Sequence, residues 1–356
     1  MPRLDAAPDY SLLARVLRDP ATLDRMSSET FARAMDAAHS ARLLGWLVEQ
    51  VRVGHVPADA ADWLRDRLMT ADAPARGYER AVLWEIDRLS RAFLDTDQTW
   101  ILLKGAAYIA GGLPPGRGRR VADIDVLVPR ADLERVEKIL QENGWEFPEI
   151  NAYDNRYYRE WMHELPPMVH RDRKSVVDIH HAILPRTSRL KPSTERLLER
   201  ATPGAEGLRT LCPAHMVLHA AAHLFHDGEI AGAIRDLVDL DQLLRSFGQD
   251  ESFWGALLGE AVALDLTRPA YYALRYAHRW FDTPLPGDVA VAASAWAPPA
   301  AVRRLMDALV QRTIPEGFRD TSQAAVFALY VRSHWLRMPP LQVIRHLTRK
   351  SLSTRA

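Results

Sequence analysis

The amino-acid sequence predicts an α+β fold, in which a small mixed β-sheet core is flanked by N-terminal and C-terminal helical regions. Three observations support this class. Apolar residues recur at helical spacing over residues 10–95, short apolar runs of strand length occupy the middle of the chain, and helical spacing returns after Pro213. We therefore divide the chain into a helical region (1–95), a core (96–185) and a second helical region (186–356).

The N-terminal region shows the spacing of amphipathic helices. Four apolar residues follow one another at intervals of four, three and four: Val82, Ile86, Leu89 and Phe93. This spacing places them on one helical face, which we expect to pack into the core. Pro57, Pro74 and Gly77 are residues that commonly interrupt helices, so breaks are expected at these positions.

Short strands alternate with helices in the middle of the chain. Residues 100–103 form an apolar run fit for a buried strand, and residues 106–110 favour a helix. A loop rich in glycine, proline and arginine follows at 111–120. The next strand is predicted over 121–128, before Pro129.

The core continues with a helix and a hairpin. Its helix has an apolar face at Leu133, Val136, Ile139 and Leu140. Gly144 is placed to end that helix, since glycine readily adopts the left-handed conformation found there. Residues 168–170 and 176–180 are strand-like and flank a polar turn of hairpin length. From Pro213 the pattern is helical to the end of the chain, with breaks near Gly228, Gly248, Pro284 and Pro298.

The bulk composition is that of a globular protein. Of the 356 residues, 47% are hydrophobic and 26% are charged, and 46 basic side chains balance 46 acidic ones. A formal net charge of zero does not favour a nucleic-acid duplex as partner, because such proteins usually have a basic excess. Cys212 is the one cysteine, and the sequence shows neither an apolar leader nor a membrane span. We expect a cytoplasmic protein.

Three aspartates form the candidate site. Asp123 and Asp125 are separated by one residue in a predicted strand, so both carboxylates point to one face. Asp178 lies among valine and isoleucine in another predicted strand, where a lone carboxylate would be costly. Adjacent carboxylates repel unless a cation lies between them, and Mg²⁺ prefers carboxylate and phosphate oxygens. A third carboxylate beside the first two is typical of a two-metal site.

Positive groups lie close to these aspartates in the sequence. Lys104 ends the first predicted strand, and Gly105 follows at a predicted helix start, where backbone N–H groups can approach a phosphate. Arg119 and Arg120 precede the aspartate pair and are candidates to clamp phosphate oxygens. We therefore assign these four residues as candidate nucleotide-binding residues.

The same motifs resemble a known family. Residues 101–107 (ILLKGAA), Arg119 four residues before the first aspartate, and residues 123–128 (DIDVLV) are similar to uncharacterised bacterial nucleotidyltransferases of the DNA polymerase β type. Gly144 with the tryptophan after it fits the close of the following helix, and residues 177–180 (VDIH) resemble the strand that supplies the third carboxylate.

The resemblance implies a reaction. Its members transfer a nucleoside monophosphate from a triphosphate, for which we expect ATP, to a hydroxyl acceptor with release of pyrophosphate. Asp123, Asp125 and Asp178 would then be the catalytic residues and the ligands of two Mg²⁺ ions, with Asp178 as general base. His180 shares the face of Asp178. It is either a further nucleotide-binding residue or a structural partner of Asp178.

The sequence departs from the wider superfamily at one place. The usual Gly-Ser phosphate signature is replaced by Lys104-Gly105-Ala106, so the serine is missing. Either Lys104 substitutes for it, or nucleotide handling differs, or activity is lost. A non-catalytic nucleotide-binding module therefore remains an alternative. An antitoxin-like protein of the same fold is a further alternative, which the long helical flanks disfavour.

Three histidines repeat every four residues on one predicted helix: His215, His219 and His223. They share a face and could bind a metal. We favour a structural role, in which this face packs against the core and the imidazoles bond to the backbone or to Asp236 and Asp239. Arg235 precedes these two aspartates and is expected to form an ion-pair network with them.

Overall fold

The fold combines many helices with one mixed sheet, which confirms the predicted α+β class. The structure is a computed structural model. It describes residues 9–57, 62–204, 207–227, 230, 233–313 and 322–339.

The part of the N-terminal region that the structure describes contains four α-helices: α1 (Tyr10–Arg18), α2 (Ser28–Ser40), α3 (Leu44–Arg52) and α4 (Asp62–Phe93). Polar side chains begin the first two of them. Asp9 accepts a hydrogen bond from the Leu12 amide, and Ser27 accepts one from the Thr30 amide, which satisfies amides that have no partner within the helix. The predicted apolar stripe is buried along α4: Val82, Ile86, Leu89 and Phe93.

One of the three helix breaks predicted in the N-terminal region is present. Pro57 lies between α3 and α4, as expected. The breaks at Pro74 and Gly77 were wrong, because α4 continues through both positions over 32 residues. Local helix propensity is a weak preference, and the burial of the stripe that follows stabilises the helix more than one glycine destabilises it.

Seven strands form the sheet: β1 (Ile101–Leu102), β2 (Asp123–Leu127), β3 (Trp145–Glu146), β4 (Met168–His170), β5 (Val176–His180), β6 (Thr202–Pro203) and β7 (Arg209–Thr210). Their order across the sheet is β3-β4-β5-β2-β1-β7-β6. The neighbours β2 and β5 are parallel, as are β1 and β7, and the other pairs are antiparallel. The two longest strands, β2 and β5, therefore lie together in the middle of the sheet.

The four strands that the sequence predicts are all present. They are β1, β2, β4 and β5, and the polar turn joins β4 to β5 as an antiparallel hairpin. The strands β3, β6 and β7 escaped prediction, because two residues are too few to show an alternating pattern. The last two of these lie beyond residue 185, so the sheet extends past the predicted core.

Four helices accompany the sheet: α5 (Lys104–Ala110), α6 (Leu133–Glu142), α7 (Ala152–Trp161) and α8 (Thr194–Glu199). Gly144 follows α6 with φ +92°, so its predicted role at the helix end is confirmed. A side chain there would also meet the ring of His170 in β4, since a Cβ would lie 2.9 Å from its Nε2.

Among the described residues of the C-terminal region, the helices are seven: α9 (Pro213–Ala222), α10 (Ile234–Phe247), α11 (Glu251–Ala263), α12 (Thr267–Phe281), α13 (Gly287–Ser294), α14 (Ala300–Gln311) and α15 (Gln323–Arg337). A π-helical turn, His223–Asp227, continues α9. The predicted breaks near Gly248, Pro284 and Pro298 fall between these helices. The break near Gly228 and the helical prediction for 340–356 lie outside the described residues.

One continuous core joins the three regions. Buried apolar side chains run from the N-terminal helices through the sheet to the C-terminal helices, as Phe31, Leu127 and Phe225 illustrate. The sheet is thus packed between helices rather than set apart from them. Within the described part of the chain, every helix is too short or too polar to cross a membrane.

Candidate active site

The three predicted aspartates lie on the two central strands. The parallel register of β2 and β5 pairs Asp125 with Asp178, and Asp123 lies two residues earlier on β2. Side chains alternate along a strand, and paired residues of neighbouring strands share a face. Ile124 and Val126 occupy the opposite face and are buried. The sheet therefore presents all three carboxylates on one side.

Asp178 has an environment that opposes its charge. Its Oδ1 atom is buried and has no hydrogen-bond partner. Burial, together with the carboxylates of Glu164 and Asp125, raises the pKa of Asp178 to about 7. Without a cation nearby, this side chain is protonated for about half of the time at neutral pH.

Asp125 is ionised, in contrast, because two partners hold its charge. Its Oδ1 accepts hydrogen bonds from Lys104 Nζ and from His180 Nε2, each at 2.8 Å. Burial acts to raise the pKa of Asp125, but Lys104 and His180 outweigh it and keep that pKa well below the ordinary value. The carboxylate raises the pKa of Lys104 in turn, against the effect of burial.

The pKa of Asp123 is shifted in the same direction as that of Asp178, and not in the direction of Asp125 on the same strand. Burial and the charge of Asp125 raise the pKa of Asp123. Burial and neighbouring carboxylates thus disfavour the charged form of two of the three carboxylates, those of Asp123 and Asp178. A divalent cation bound between them would remove this repulsion, so the donor set fits such an ion.

The segment 103–105 connects β1 to α5 beside these carboxylates. The Leu103 amide donates to the Asp125 carbonyl at 2.9 Å, which fixes the segment against β2. Lys104 has φ +45°, a left-handed conformation that is uncommon for a residue with a side chain. Gly105 is required by packing, since a Cβ there would lie 2.9 Å from Arg119 Nε and from Val121 Cγ2.

The two arginines before β2 have different surroundings. Arg119 is largely buried, and its guanidinium pairs with Asp239 of α10. Arg235 also donates to Asp239, at 3.1 Å, so the predicted pair with Asp239 is present and Arg119 joins it. Arg120 is exposed; it donates to the Tyr78 hydroxyl at 2.6 Å and covers the Tyr78 ring. Of the two guanidiniums, that of Arg120 is thus the accessible one.

His180 is fully buried, and its partner is Asp125 rather than Asp178. Two further residues, which the sequence analysis missed, lie beside it. Glu164 Oε2 is 3.4 Å from His180 Nε2, and His163 packs its ring 5.1 Å from that of His180. Glu164 forms an isolated bridge with His180 of β5, and neither Glu164 nor His163 lies in a strand, so no alternating pattern marked them.

His219 and His215 of α9 make different contacts. His219 is buried near the site; burial and the charge of Lys104 lower the pKa of His219 well below its ordinary value, so it is neutral. His215 Nε2 donates to Glu260 of α11 at 2.8 Å, so the expected partners Asp236 and Asp239 were wrong for this side chain. His219 therefore belongs to the surroundings of the site, and His215 to a contact between helices.

Comparison with known proteins adds to this geometry. The model of a family described as uncharacterised nucleotidyltransferase matches residues 27–282, well over half of the chain. The chain belongs to this family. The family match begins just before α2, includes the whole sheet and ends after α12. The protein is thus a nucleotidyltransferase, a transferase of phosphorus-containing groups that uses a nucleoside triphosphate. No curated protein and no solved structure matches the chain.

Proposed function

We propose that this nucleotidyltransferase transfers a nucleoside monophosphate from a nucleoside triphosphate, with ATP as the expected substrate, to a hydroxyl group of an acceptor. The hydroxyl oxygen attacks the α-phosphorus and forms the new P–O bond. The bond between the α-phosphorus and the bridging oxygen breaks, and pyrophosphate leaves. We expect the reaction to take place in the cytoplasm and without a nucleic-acid duplex as partner.

The observation that carries this proposal is the register of β2 and β5. It brings Asp123, Asp125 and Asp178 to one face of the sheet, although more than 50 residues separate the second from the third. The unpartnered Oδ1 of Asp178 supports the same conclusion, because a buried oxygen without a donor is costly unless a ligand completes it.

Asp123, Asp125 and Asp178 would hold the Mg²⁺ ions, two of which are expected. When bound, such ions would neutralise the phosphate oxygens and stabilise the charge of the leaving group. The protein itself contributes the fixed positions of the three carboxylates on neighbouring strands. Transfer of a phosphoryl-type group depends mainly on such positioning and charge neutralisation.

Asp178 is our candidate for the general base. A base is most effective when its pKa lies near the working pH, and burial and nearby carboxylates raise the pKa of Asp178 to about 7. In this proposal its Oδ1 accepts the proton of the attacking hydroxyl. Asp125 cannot readily take this role, since Lys104 and His180 hold its Oδ1.

Five further residues were candidates for binding the nucleotide. Lys104 reaches the carboxylates and is 26% exposed, so its ammonium group could also contact a phosphate. Arg120 offers an exposed guanidinium, whereas Arg119 would have to leave Asp239 to do so. His180 is fully buried, so we propose that it positions Asp125 instead of contacting the nucleotide. Gly105 allows the start of α5 to lie close to Arg119 at the end of the loop 111–120.

A second candidate function is nucleotide binding without catalysis. The ion pair between Lys104 and Asp125 favours it, because the ammonium group already occupies a position beside a predicted metal ligand. The serine of the superfamily signature is absent at the same place. If the ammonium group does not yield to a metal ion, the protein would bind a triphosphate without turning it over.

Pyrophosphate release from each of the four nucleoside triphosphates tests the proposal. The wild-type protein should release pyrophosphate in the presence of Mg²⁺, and Asp123→Asn, Asp125→Asn and Asp178→Asn should each lower the rate about 100-fold or more. The matched control is Asp97→Asn, which changes an exposed aspartate just before β1 and should retain the wild-type rate.

The results of this assay distinguish catalysis from nucleotide binding without catalysis. Mass spectrometry of the reaction mixture should find an acceptor that has gained a nucleoside monophosphate. Binding of a triphosphate without pyrophosphate release under all conditions would support the non-catalytic function. Release that survives Asp178→Asn unchanged would remove Asp178 from the mechanism.

A further inference from the structure

A second group of potential metal ligands lies beside the carboxylates, and the proposed function assigns no metal ion to it. His163, Glu164 and His180, which we call the imidazole cluster, each offer one ligand atom, and these three atoms lie within 4.8 Å of one another. We propose that the imidazole cluster is a binding site for a divalent transition-metal ion such as Zn²⁺. This site is distinct from the predicted magnesium site on Asp123.

The distances within the cluster suit a shared ion better than hydrogen bonds. Glu164 Oε2 lies 3.4 Å from His180 Nε2 and 3.9 Å from His163 Nε2. Two ligands of a tetrahedral ion, each at about 2.0–2.1 Å from the metal, are separated by about 3.3 Å. The first separation already has this value. The second is too long for a hydrogen bond, and it needs to shorten by about 0.6 Å to match the tetrahedral edge.

The backbone holds the three residues in place. Glu164 and His180 form a bridge, and the amide of Leu165 donates to the Ile179 carbonyl at 2.9 Å. The His181 amide donates to the His163 carbonyl at 2.8 Å. A site built on paired backbone segments is formed before its ligand arrives, which lowers the entropic cost of binding.

Burial and access also fit a metal site. The side chain of His180 is 0% exposed and that of His163 is 7% exposed, whereas that of Glu164 is 19% exposed. The carboxylate is therefore the part of the cluster through which an ion can enter from solvent. The Nδ1 atom of His180 is buried without a partner, and its Nε2 atom faces Glu164 and Asp125.

The ligand types separate the two sites chemically. Imidazole nitrogen suits zinc and its neighbours among the transition metals, whereas carboxylate oxygen suits magnesium. Millimolar Mg²⁺ should therefore occupy the aspartates without displacing a transition metal from the imidazole cluster. The sites are nevertheless linked, since His180 Nε2 cannot bind a metal ion while it donates to Asp125.

Titration with Co²⁺, a spectroscopic substitute for Zn²⁺, tests the inference on the full chain without an affinity tag. We expect one equivalent to bind with visible ligand-field bands, and millimolar Mg²⁺ to leave these bands in place. His163→Gln and Glu164→Gln should each weaken binding tenfold or more. The matched control His39→Gln changes an exposed histidine and should leave binding unchanged.

Asp123→Asn distinguishes this inference from the proposed function. The variant should lose pyrophosphate release and keep the Co²⁺ bands, so each idea can fail alone. Loss of the bands in Asp123→Asn, or their retention in both His163→Gln and Glu164→Gln, would overturn the imidazole cluster as the site. Absence of binding by the wild-type protein would do the same.

A measurement on the wild-type protein covers the case in which the variants do not fold. X-ray absorption of the Zn²⁺ complex reports directly on the ligands of the ion. Scattering from two imidazole rings is the expected result. A spectrum with oxygen ligands alone would place the ion at the carboxylates and refute the inference.

Discussion

Asp178 shows how one residue can link the pH dependence of stability to a candidate function. Its carboxyl lies on β5 opposite Asp125, and its Oδ1 has no hydrogen-bond partner. Burial and neighbouring carboxylates raise the pKa of Asp178 from 3.8 to about 7. The folded protein therefore keeps a proton that the unfolded chain loses above about pH 4.

The first prediction follows from the sign of this shift. In metal-free protein, the free energy of unfolding should fall as the pH rises from about 4 to 7, since the unfolded state releases the proton more readily. The Asp178→Asn variant has no ionisable group at this position. Its free energy of unfolding relative to that of wild type should therefore increase by about 1–3 kcal/mol as the pH rises from 5 to 8. Urea unfolding in the presence of a chelator, at pH 5 and at pH 8, measures the difference in the free energy of unfolding between the variant and wild type. An equal difference at pH 5 and pH 8 would contradict the raised pKa.

Lys104 is the second residue whose role can be tested alone. Its Nζ donates to Asp125 Oδ1 at 2.8 Å and supplies the positive charge nearest to the candidate metal ligands. Lys104→Gln keeps much of the length of the side chain and removes the charge. We expect a loss of about 1–3 kcal/mol, below the value for a fully buried pair because Lys104 is 26% exposed.

Magnesium should restore part of that loss. In Lys104→Gln a divalent cation can take the place of the ammonium group beside Asp125, so Mg²⁺ should raise the melting temperature more in the variant than in wild type. Thermal unfolding with increasing Mg²⁺ measures both shifts. A smaller Mg²⁺ shift in the variant would indicate that Lys104 assists metal binding instead of competing with it.

At the scale of elements, the site depends on a close contact between α3 and the loop at residues 111–120. Gly45 in the first turn of α3 meets Gly118, which has φ +61°. A Cβ at position 45 would lie 1.8 Å from the Gly118 carbonyl oxygen. The loop leads to Arg119 and β2, so the N-terminal helices help to fix the strand that bears Asp123 and Asp125.

Gly45→Ala should therefore separate these two elements. We expect a loss of about 1–3 kcal/mol in the free energy of unfolding, because backbone would have to move to accept the methyl group. The control is Gly77→Ala in α4, where a Cβ meets nothing within 4 Å. Alanine should stabilise that helix by about 0.5–1 kcal/mol. Chemical unfolding compares the two, and equal effects would contradict the close contact.

At the scale of the whole molecule, a buried ion cluster joins the sheet to the C-terminal helices. Asp239 of α10 is 3% exposed and pairs with Arg119 before β2 and with Arg235. Arg235 also donates to the Pro115 carbonyl at 2.8 Å. The cluster connects α10 to the loop that enters the site, although more than 100 residues separate them in the chain.

Asp239→Asn should disturb the docking of these regions. Two largely buried guanidiniums would lose their shared carboxylate, which typically costs about 3–5 kcal/mol. Glu160→Gln is the control, since it removes an exposed pair with Arg156 and should change stability by less than about 1 kcal/mol. Urea unfolding measures both. A small effect of Asp239→Asn would show that apolar packing alone holds the regions together.

The sequence by itself determined the fold class, the four central strands and the face on which Asp123 and Asp125 lie. These features are local, because alternation and helical periodicity act over a few residues and can be counted along the chain. Local propensity failed at Pro74 and Gly77, where burial of one face of α4 outweighs it.

Only the tertiary structure decided which side chains meet. The pairing of Asp125 with Asp178 depends on the parallel register of two strands, and the contact between Arg119 and Asp239 on the docking of α10. Glu164 reaches the site through one bridge to β5, with His163 beside it, and no repeating pattern in the sequence predicts this contact. Contacts between residues far apart in the chain form only when elements pack, because packing, and not local spacing, brings their side chains together.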